Sequence, residues 1–280
     1  MSTYKSEGII IKRHNFGESS LILDFYTKEY GKVEAVARSA RKHRGKLKGH
    51  LELFLCTDLI FAHARSIDKT TSSFTLKSFS CLRKNFRAAS IAYYFSELVE
   101  KMTIAGHRDE RIYHLLKDSL VFLDESADIS AQENSAGSRQ RSAGRMDTLD
   151  LLVLFFQINI LDLAGYSAEF RRCVHCLENL NPGENYFSHS LGGIVCDKCT
   201  SRDNQAVFLD DNAVKLMRFL QYRGGSGSVE HSAHLSGSMK NLKKICAEAK
   251  MAGMLNHLMN TFIEFNIERK IRSIDFIRIM

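Results

Sequence analysis

The first 80 residues alternate between apolar and polar positions in short runs that are typical of β-strands. Glycine-containing segments separate the first three runs, as expected for turns. Five runs are present, at residues 7–16, 19–28, 32–39, 51–64 and 70–81. Five short strands are the number expected for a small Greek-key barrel such as the OB-fold.

After about residue 85 the hydrophobic period changes from two to 3.6, which indicates helices. Two stretches, 89–106 and 110–125, each place apolar residues on one helical face. These positions are Ile91, Phe95, Leu98, Val99 and Met102 in the first stretch and Ile112, Leu115, Leu116, Leu120 and Leu123 in the second. Residues 148–165 are apolar nearly all round, which predicts a buried central helix with Gly165 as its C′ residue.

The patterns predict an α+β chain, with a five-stranded OB-fold barrel at residues 1–82 and a helical domain at residues 83–280. Further helices are predicted at about 210–222 and 239–270. Two stretches of small polar residues without periodicity, 126–146 and 223–238, are predicted to be flexible.

The positive charge is concentrated near the N-terminus. The chain has 280 residues, is 44% hydrophobic and carries a formal net charge of +7. Residues 1–80 hold 14 bases and 8 acids, whereas residues 81–280 hold 25 bases and 24 acids. Such a local excess indicates a polyanionic partner, for which nucleic acid is the expected identity and an anionic membrane surface is the rival.

Six cations and no acid occur in the stretch RSARKHRGKLK at residues 38–48. We call residues 38–48 the basic stretch and predict that it is a loop between the third and fourth strands. Its cations, the predicted DNA contacts, are Arg38, Arg41, Lys42, Arg44, Lys46 and Lys48. Lys12 and Arg13 on the first strand add to the same excess. The alternative for such a charge run is a solvated face without a ligand.

Three aromatic residues on the first two strand runs allow two interpretations. Phe16, Phe25 and Tyr26 either stack on bases, as exposed rings do in single-strand binding proteins, or fill the barrel core.

Four of the seven cysteines form two CxxC pairs, CVHC at 173–176 and CDKC at 196–199, separated by 19 residues. This spacing predicts a zinc ribbon within residues 171–202, with Cys173, Cys176, Cys196 and Cys199 as the ligands. Four thiolates leave no open coordination position, so the predicted Zn²⁺ is structural. The alternatives are four unrelated buried thiols, or a ligand role for His175 or His189.

The other three cysteines, Cys56, Cys81 and Cys246, stand in apolar settings and are predicted to be core residues. Disulfides are not expected, because the chain shows no secretory signal and its most apolar stretch is interrupted by polar residues. A soluble cytoplasmic protein without a membrane partner is therefore expected.

Motifs for covalent chemistry are missing from the sequence. It contains no P-loop, no GxGxxG after a strand, no GxSxG and no HExxH. His50 and Glu52 match the HxE half of a zinc deaminase signature, but the PCxxC half is absent. The protein is therefore not expected to be an enzyme.

In order and content the segments resemble the RecO family of bacterial DNA repair and recombination mediators. The N-terminal resemblance lies in Gly17-Glu18-Ser19, in the T-x-x-x-G pattern from Thr27 to Gly31, and in Val36 to Arg41. The family usually has glycine where Ser39 stands. The C-terminal resemblance lies in LLVLFFQINILDLAGY, in SLGGIVCDKC and in the closing SIDFIRIM.

The resemblance implies an OB-fold that binds single- and double-stranded DNA, anneals complementary strands and catalyses no covalent reaction. It also implies contacts with RecR and with the acidic C-terminal tail of the single-strand binding protein, an indirect role in loading RecA, and association with the nucleoid during repair. A different class remains open: an RNA-binding OB and zinc-ribbon protein of translation or RNA processing.

Overall fold

The computed structural model describes residues 2–42, 49–135, 147–221, 237, 239, 241–245 and 248–278. The chain forms two compact units. The first comprises Met1–Arg139 together with Ile271–Met280, and the second comprises Gln140–Lys270.

The strands of the first unit are β1 Thr3–Phe16, β2 Ser20–Thr27, β3 Gly31–Ala37, β4 Cys56–Ala62 and β5 Asp68–Lys77. Those of the second are β6 Asn185–Ser188, β7 Gly193–Cys196 and β8 Val207–Leu209. The helices are α1 Ser80–Lys84, α2 Phe86–Met102, α3 Glu110–Ser135, α4 Thr148–Leu163, α5 Asp211–Leu220, α6 Ala249–Ile267 and α7 Ile274–Arg278.

The first five strands close into a barrel in the order β1-β2-β3-β5-β4. Four of the strand pairs are antiparallel, and β3 and β5 pair in parallel through Ala35 with Asp68 and Val36 with Lys69. The predicted OB-like barrel and its strand count are confirmed.

The inward-facing side chains of the alternating strands fill the barrel. Inward positions such as Leu21, Leu23 and Phe25 on β2 are almost fully buried, together with Leu59 and Phe61 on β4. β1 departs from alternation because the register shifts between Ile10 and Lys12, which marks a bulge.

The turn between β2 and β3 explains the T-x-x-x-G pattern. The Thr27 hydroxyl donates to the Gly31 carbonyl at 2.9 Å and accepts from the Tyr30 N–H at 3.1 Å. Gly31 has φ +65°, and a Cβ there would lie 2.1 Å from the carbonyl oxygen of His107. Only glycine has both the conformational freedom and the space that this position requires.

Helices α2 and α3 have the predicted buried faces and are anchored to the barrel by polar contacts. The Lys32 ammonium donates to the carbonyls of Glu100 and Thr103, at 2.7 Å each. The Tyr26 hydroxyl donates to the carbonyl of Asp109 at 3.1 Å. The compact units divide near residue 139, whereas the domain boundary predicted from the sequence lies at residues 82 and 83.

One of the segments predicted to be flexible, 126–146, begins within a helix. Helix α3 continues to Ser135, so residues 126–135 of the segment predicted to be flexible are helical, and residues 136–146 lie outside the described residues. Helix α1 also replaces the end of the fifth predicted strand. The Asp124 carboxylate of α3 accepts the backbone N–H groups of Cys81 and Leu82, at 2.9 Å each.

The second unit is built around α4, whose residues 151–161 are all buried. The prediction of a buried central helix is confirmed, and Gly165 follows the Ala164 C-cap at φ +88°. Helix α6 spans Ala249–Ile267, and the described residues 237, 239, 241 and 242 before it are also helical. Most of the segment predicted to be flexible at 223–238 lies outside the described residues.

Candidate metal centre and nucleic-acid interface

The first CxxC pair forms a tight turn just before the ribbon sheet. The Cys173 backbone N–H donates to the Glu178 carbonyl, and the Leu177 N–H donates back to the Cys173 carbonyl, at 2.9 Å each. Leu177 adopts φ +64°, which closes the turn. The turn therefore presents the sulfurs of Cys173 and Cys176 on one side.

The second pair stands where β7 ends and a 3₁₀ helix, Asp197–Arg202, begins. Strands β6, β7 and β8 form a three-stranded sheet in the order β7-β6-β8. Gly193 lets β7 approach the first turn, because a Cβ there would lie 2.6 Å from both the Glu169 carbonyl oxygen and the Val174 side chain. The predicted ribbon is confirmed.

The four predicted ligands meet at one point. The sulfur atoms of Cys173, Cys176, Cys196 and Cys199 all lie within 4.8 Å of one another. A tetrahedral ion with metal–sulfur distances of about 2.3 Å needs sulfur–sulfur distances of about 3.8 Å. The Cys176 and Cys196 sulfurs are 3.9 Å apart. The four cysteines can therefore hold one metal ion.

The acid–base properties of the cluster favour a cation. Burial raises the pKa of Cys173, but backbone N–H groups of Cys176, Cys196 and His175 lower it to about 6. Burial and the neighbouring thiols of Cys196, Cys176 and Cys173 raise the pKa of Cys199 to about 12. Four adjacent thiolates repel one another, so full ionisation requires a cation among them.

Neither nearby histidine belongs to the cluster. His175 Nε2 lies 2.7 Å from an Arg202 guanidinium nitrogen. His189 Nε2 lies 3.3 Å from the Leu258 carbonyl, and its ring packs against Phe187. The structure therefore favours the four-cysteine set over a set that includes a histidine.

Of the remaining cysteines, Cys56 is buried and Cys81 is partly buried. Cys56 donates to Glu7 at 3.1 Å and lies 3.5 Å from the Tyr113 hydroxyl. It is therefore part of a polar cluster and not an isolated core thiol. Cys246 lies outside the described residues.

The basic stretch begins directly after β3. Arg38, Arg41 and Lys42 are exposed, whereas Arg44, Lys46 and Lys48 lie outside the described residues. Ser39 has φ +56°, the left-handed region that favours glycine, and the Arg41 N–H donates to the Ser19 carbonyl at 2.9 Å. This backbone conformation favours glycine, where this chain has Ser39.

A cleft of about 230 Å³ lies where the basic stretch leaves the barrel. Its floor is apolar and its rim is charged. The Arg13 guanidinium on the rim pairs with the Glu52 carboxylate at 2.6 Å. The lining includes Leu21, Ala40 and Leu51, together with Arg13, Arg41 and Glu52.

Lys12 points to the helices instead. Its ammonium lies 3.0 Å from the Glu100 carboxylate and 4.0 Å from Asp24. A hydrogen bond from Lys12 to Glu100 raises the pKa of the ammonium despite its partial burial. Lys12, like Arg13, therefore has a carboxylate partner within the first unit.

The three aromatic residues divide between the two interpretations. Phe25 and Tyr26 are fully buried, so they belong to the interior. The Phe16 ring is 52% exposed at the end of β1. The HxE half-motif has ordinary roles, since Glu52 pairs with Arg13 and His50 Nδ1 lies 2.8 Å from the Thr75 hydroxyl.

Sequence reasoning did not identify the acidic partners of the two barrel cations. Glu52 and Glu100 are remote in sequence from Arg13 and Lys12, and only folding brings them together. Among the helices in the described part of the chain, none has the length and apolarity needed to cross a bilayer.

The fold and site define an OB-barrel protein with a four-cysteine site that can hold a metal ion. Two protein-family models match the chain, "Recombination protein O N terminal" over residues 1–79 and "Recombination protein O C terminal" over residues 144–274. The DNA repair protein RecO of Dehalococcoides mccartyi is 30% identical over 218 residues, which are 78% of this chain and 78% of that protein.

The DNA repair protein RecO of Roseiflexus sp. (strain RS-1) is 28% identical over 274 residues, covering 98% of this chain and 84% of that protein. The corresponding protein of Caldicellulosiruptor saccharolyticus is 24% identical over 279 residues, covering 99% of both chains. The chain belongs to the RecO family of DNA repair and recombination proteins.

Proposed function

We propose that this protein is a DNA repair mediator that binds single- and double-stranded DNA through the basic stretch without regard to sequence. The observation that carries the proposal is the exposure of Arg38, Arg41 and Lys42 at the mouth of the OB-like barrel. Cations that contact phosphates release condensed counterions, and such contacts carry no base information. A mediator that acts on DNA of any sequence needs this kind of contact.

The proposed DNA contacts are the six cations of the basic stretch together with Arg13 and Lys12. Arg13 lies on the rim of the cleft beside Arg41 and is the stronger candidate of the two strand residues. Both residues would have to exchange a carboxylate partner for a phosphate, but Glu100 beside Lys12 is more buried than Glu52 beside Arg13, so the contribution of Lys12 to affinity is expected to be smaller.

The metal that we propose for the four-cysteine site is one structural Zn²⁺. Tetrahedral sulfur coordination is the preference of zinc, and four protein ligands leave no position for a substrate or a reactive water. Cys173, Cys176, Cys196 and Cys199 would hold the ion, which joins the first turn to the end of β7. The proposed role is to stabilise the ribbon and not to catalyse a reaction.

The wider role that we propose follows from membership of the RecO family. The protein anneals complementary strands and acts in the cytoplasm at the nucleoid. With RecR, and through the acidic tail of the single-strand binding protein, it helps RecA reach coated DNA. The dense cations of the basic stretch support annealing, because they reduce the repulsion between two strands.

The test is binding of a labelled single-stranded oligonucleotide to the full-length chain over a salt series. A variant with Arg41, Lys42, Arg44, Lys46 and Lys48 changed to alanine should bind more weakly, with a shallower dependence of log K on log salt. If each side chain contacts one phosphate, the slope should fall by about 3.5.

The matched control removes five exposed cations from the second unit. It changes Arg171, Lys215, Lys250, Arg269 and Lys270 to alanine. An equal loss of affinity in both variants would show that only net charge matters, and an unchanged slope in the first variant would refute the assignment. Tighter binding to RNA than to DNA of equal length would favour an RNA-processing role.

A further inference from the structure

A second positive region of the first unit lies outside the basic stretch. Residues 69–96 contain five cations and no acid. The segment covers most of β5, all of α1 and the first part of α2. Its cations are Lys69, Lys77, Arg83, Lys84 and Arg87.

The centre of this region combines charge with an exposed aromatic ring. Arg83 and Lys84 are exposed at the C-terminal end of α1, and Phe86, the first residue of α2, is 68% exposed. A single exposed phenylalanine is common on protein surfaces, so Phe86 gains significance only from the cations beside it.

Tyr93 extends the region along α2. It follows Phe86 by seven residues, which is about two helical turns, so both rings lie on one face about 10 Å apart. Tyr93 is 48% exposed, and its ring meets the edge of the Phe54 ring at a centroid distance of 4.9 Å. The Phe54 N–H donates to the Ile10 carbonyl of β1 at 2.9 Å. The region is therefore continuous with the barrel surface.

Two carboxylates of α3 serve the opposite end of α1, and Glu97, one turn beyond Tyr93 on α2, pairs with Lys101. Asp124 accepts the N–H groups of Cys81 and Leu82 at the N-terminal end, and Asp128 lies 3.6 Å from the Cys81 sulfur. Cations at a helix C-terminus stabilise the helix by themselves, which is a structural explanation for Arg83 and Lys84. It does not explain the exposure of Phe86 beside them.

We propose that Arg83, Lys84, Phe86 and Tyr93, which we call the α1–α2 strip, form a second contact for single-stranded nucleic acid. Phe86 stacks on an unpaired base, as exposed rings do in single-strand binding surfaces. Arg83 and Lys84 contact the flanking phosphates. The proposal rests on the proposed function and adds a site beyond the barrel loop.

The first experiment uses the absence of tryptophan from the chain. In a Phe86→Trp variant, the single indole should be quenched when an oligothymidylate binds, because the base stacks on the ring. The matched control is Phe265→Trp on α6 of the second unit, where the residue is 55% exposed. Glu264 precedes it and Glu268 follows three residues later, and such carboxylates repel phosphates. Equal quenching at both positions, or none at position 86, would overturn the proposal.

The second experiment measures affinity over a salt series. Phe86→Ala should weaken binding of single strands at least fivefold with no change in the salt slope, and should leave binding of blunt duplex unchanged. Arg83→Gln with Lys84→Gln should weaken binding and lower the slope by about 1.4. The charge-matched control is Arg269→Gln with Lys270→Gln, which should do neither.

The outcomes separate the strip from the barrel loop. If the strip variants bind like the wild type while the loop variant loses affinity, the α1–α2 strip is not a contact and the proposed function stands. If the wild type itself binds no DNA, both proposals fail.

Discussion

Glu7 connects the barrel to helix α3, and its removal should destabilise the first unit in a pH-dependent way. Its carboxylate accepts hydrogen bonds from the Lys117 ammonium at 2.7 Å and from the Cys56 thiol at 3.1 Å. Burial raises the pKa of Glu7, but hydrogen bonds from Lys117, Tyr113 and Cys56 outweigh it and lower the pKa to about 2.

The size of the effect follows from the difference between the Glu7 pKa of about 2 and the ordinary glutamate pKa of 4.5. At 1.36 kcal/mol for each unit of pKa, the difference corresponds to about 3 kcal/mol. The Glu7 side chain is 26% exposed, so solvent screening reduces the contribution to about 2 kcal/mol. Glu7→Gln should therefore lower the free energy of unfolding by about 2 kcal/mol at pH 7.

The sign of the pH dependence is fixed by the lowered pKa. The contribution is fully present above the unfolded pKa near 4.5 and disappears as the pH falls toward 2. The difference between wild type and Glu7→Gln should therefore be constant from pH 7 to 5 and shrink below that range. Urea unfolding followed by circular dichroism at several pH values measures it.

Glu18→Gln is the matched control, because it removes the same charge from an exposed turn. It should change the stability by less than about 0.5 kcal/mol. A double-mutant cycle with Lys117→Met isolates the pair. The reasoning is refuted if the difference persists unchanged to pH 3, or if Glu7→Gln is as stable as the control.

The remaining predictions concern the turn, the cleft and the metal centre. Gly31→Ala should lower the free energy of unfolding by more than about 2 kcal/mol in thermal unfolding, because a clash adds to the backbone strain. Gly17→Ala is the control, since its φ of +58° gives the strain but the surrounding space is open. Similar losses of stability in the two variants would contradict the close approach at Gly31. Glu52→Gln should free Arg13 and tighten single-strand binding two- to threefold, with a salt slope steeper by about 0.7; unchanged binding would remove Arg13 from the interface. The purified chain should contain one zinc by elemental analysis, and Cys199→Ser should lose it and speed hydrogen exchange in the ribbon; a retained zinc would refute the ligand set.

Some features were predictable because local chemistry determines them. Alternation identified the five strands, since a barrel strand has one buried face. Helical periodicity identified the buried faces of α2 and α3. The CxxC spacing identified the four sulfurs, because a tight turn is enough to present each pair and the metal requires both.

Other features of the fold could not be predicted from local sequence patterns. Residues 126–135 have no apolar periodicity, yet they continue α3. On the preceding turn, Asp124 binds the N-terminal end of α1, more than 40 residues earlier in the chain. The left-handed backbone conformation of Ser39 could not be predicted either, since the residue type serine does not indicate it.

The sequence by itself determined most of the element types, the basic stretch and the four candidate metal ligands, because each depends on residues close together in the chain. The tertiary structure alone decided which charges remain available to a ligand. Arg13 and Lys12 are adjacent in sequence, but they project from opposite faces of β1, so Arg13 reaches the cleft beside Glu52 and Lys12 reaches Glu100 on α2. The same holds for the α1–α2 strip, since only the packed helix shows that Phe86 and Tyr93 remain exposed on one face. A side chain's exposure and its charged neighbours are properties of the folded surface, and no local pattern encodes them.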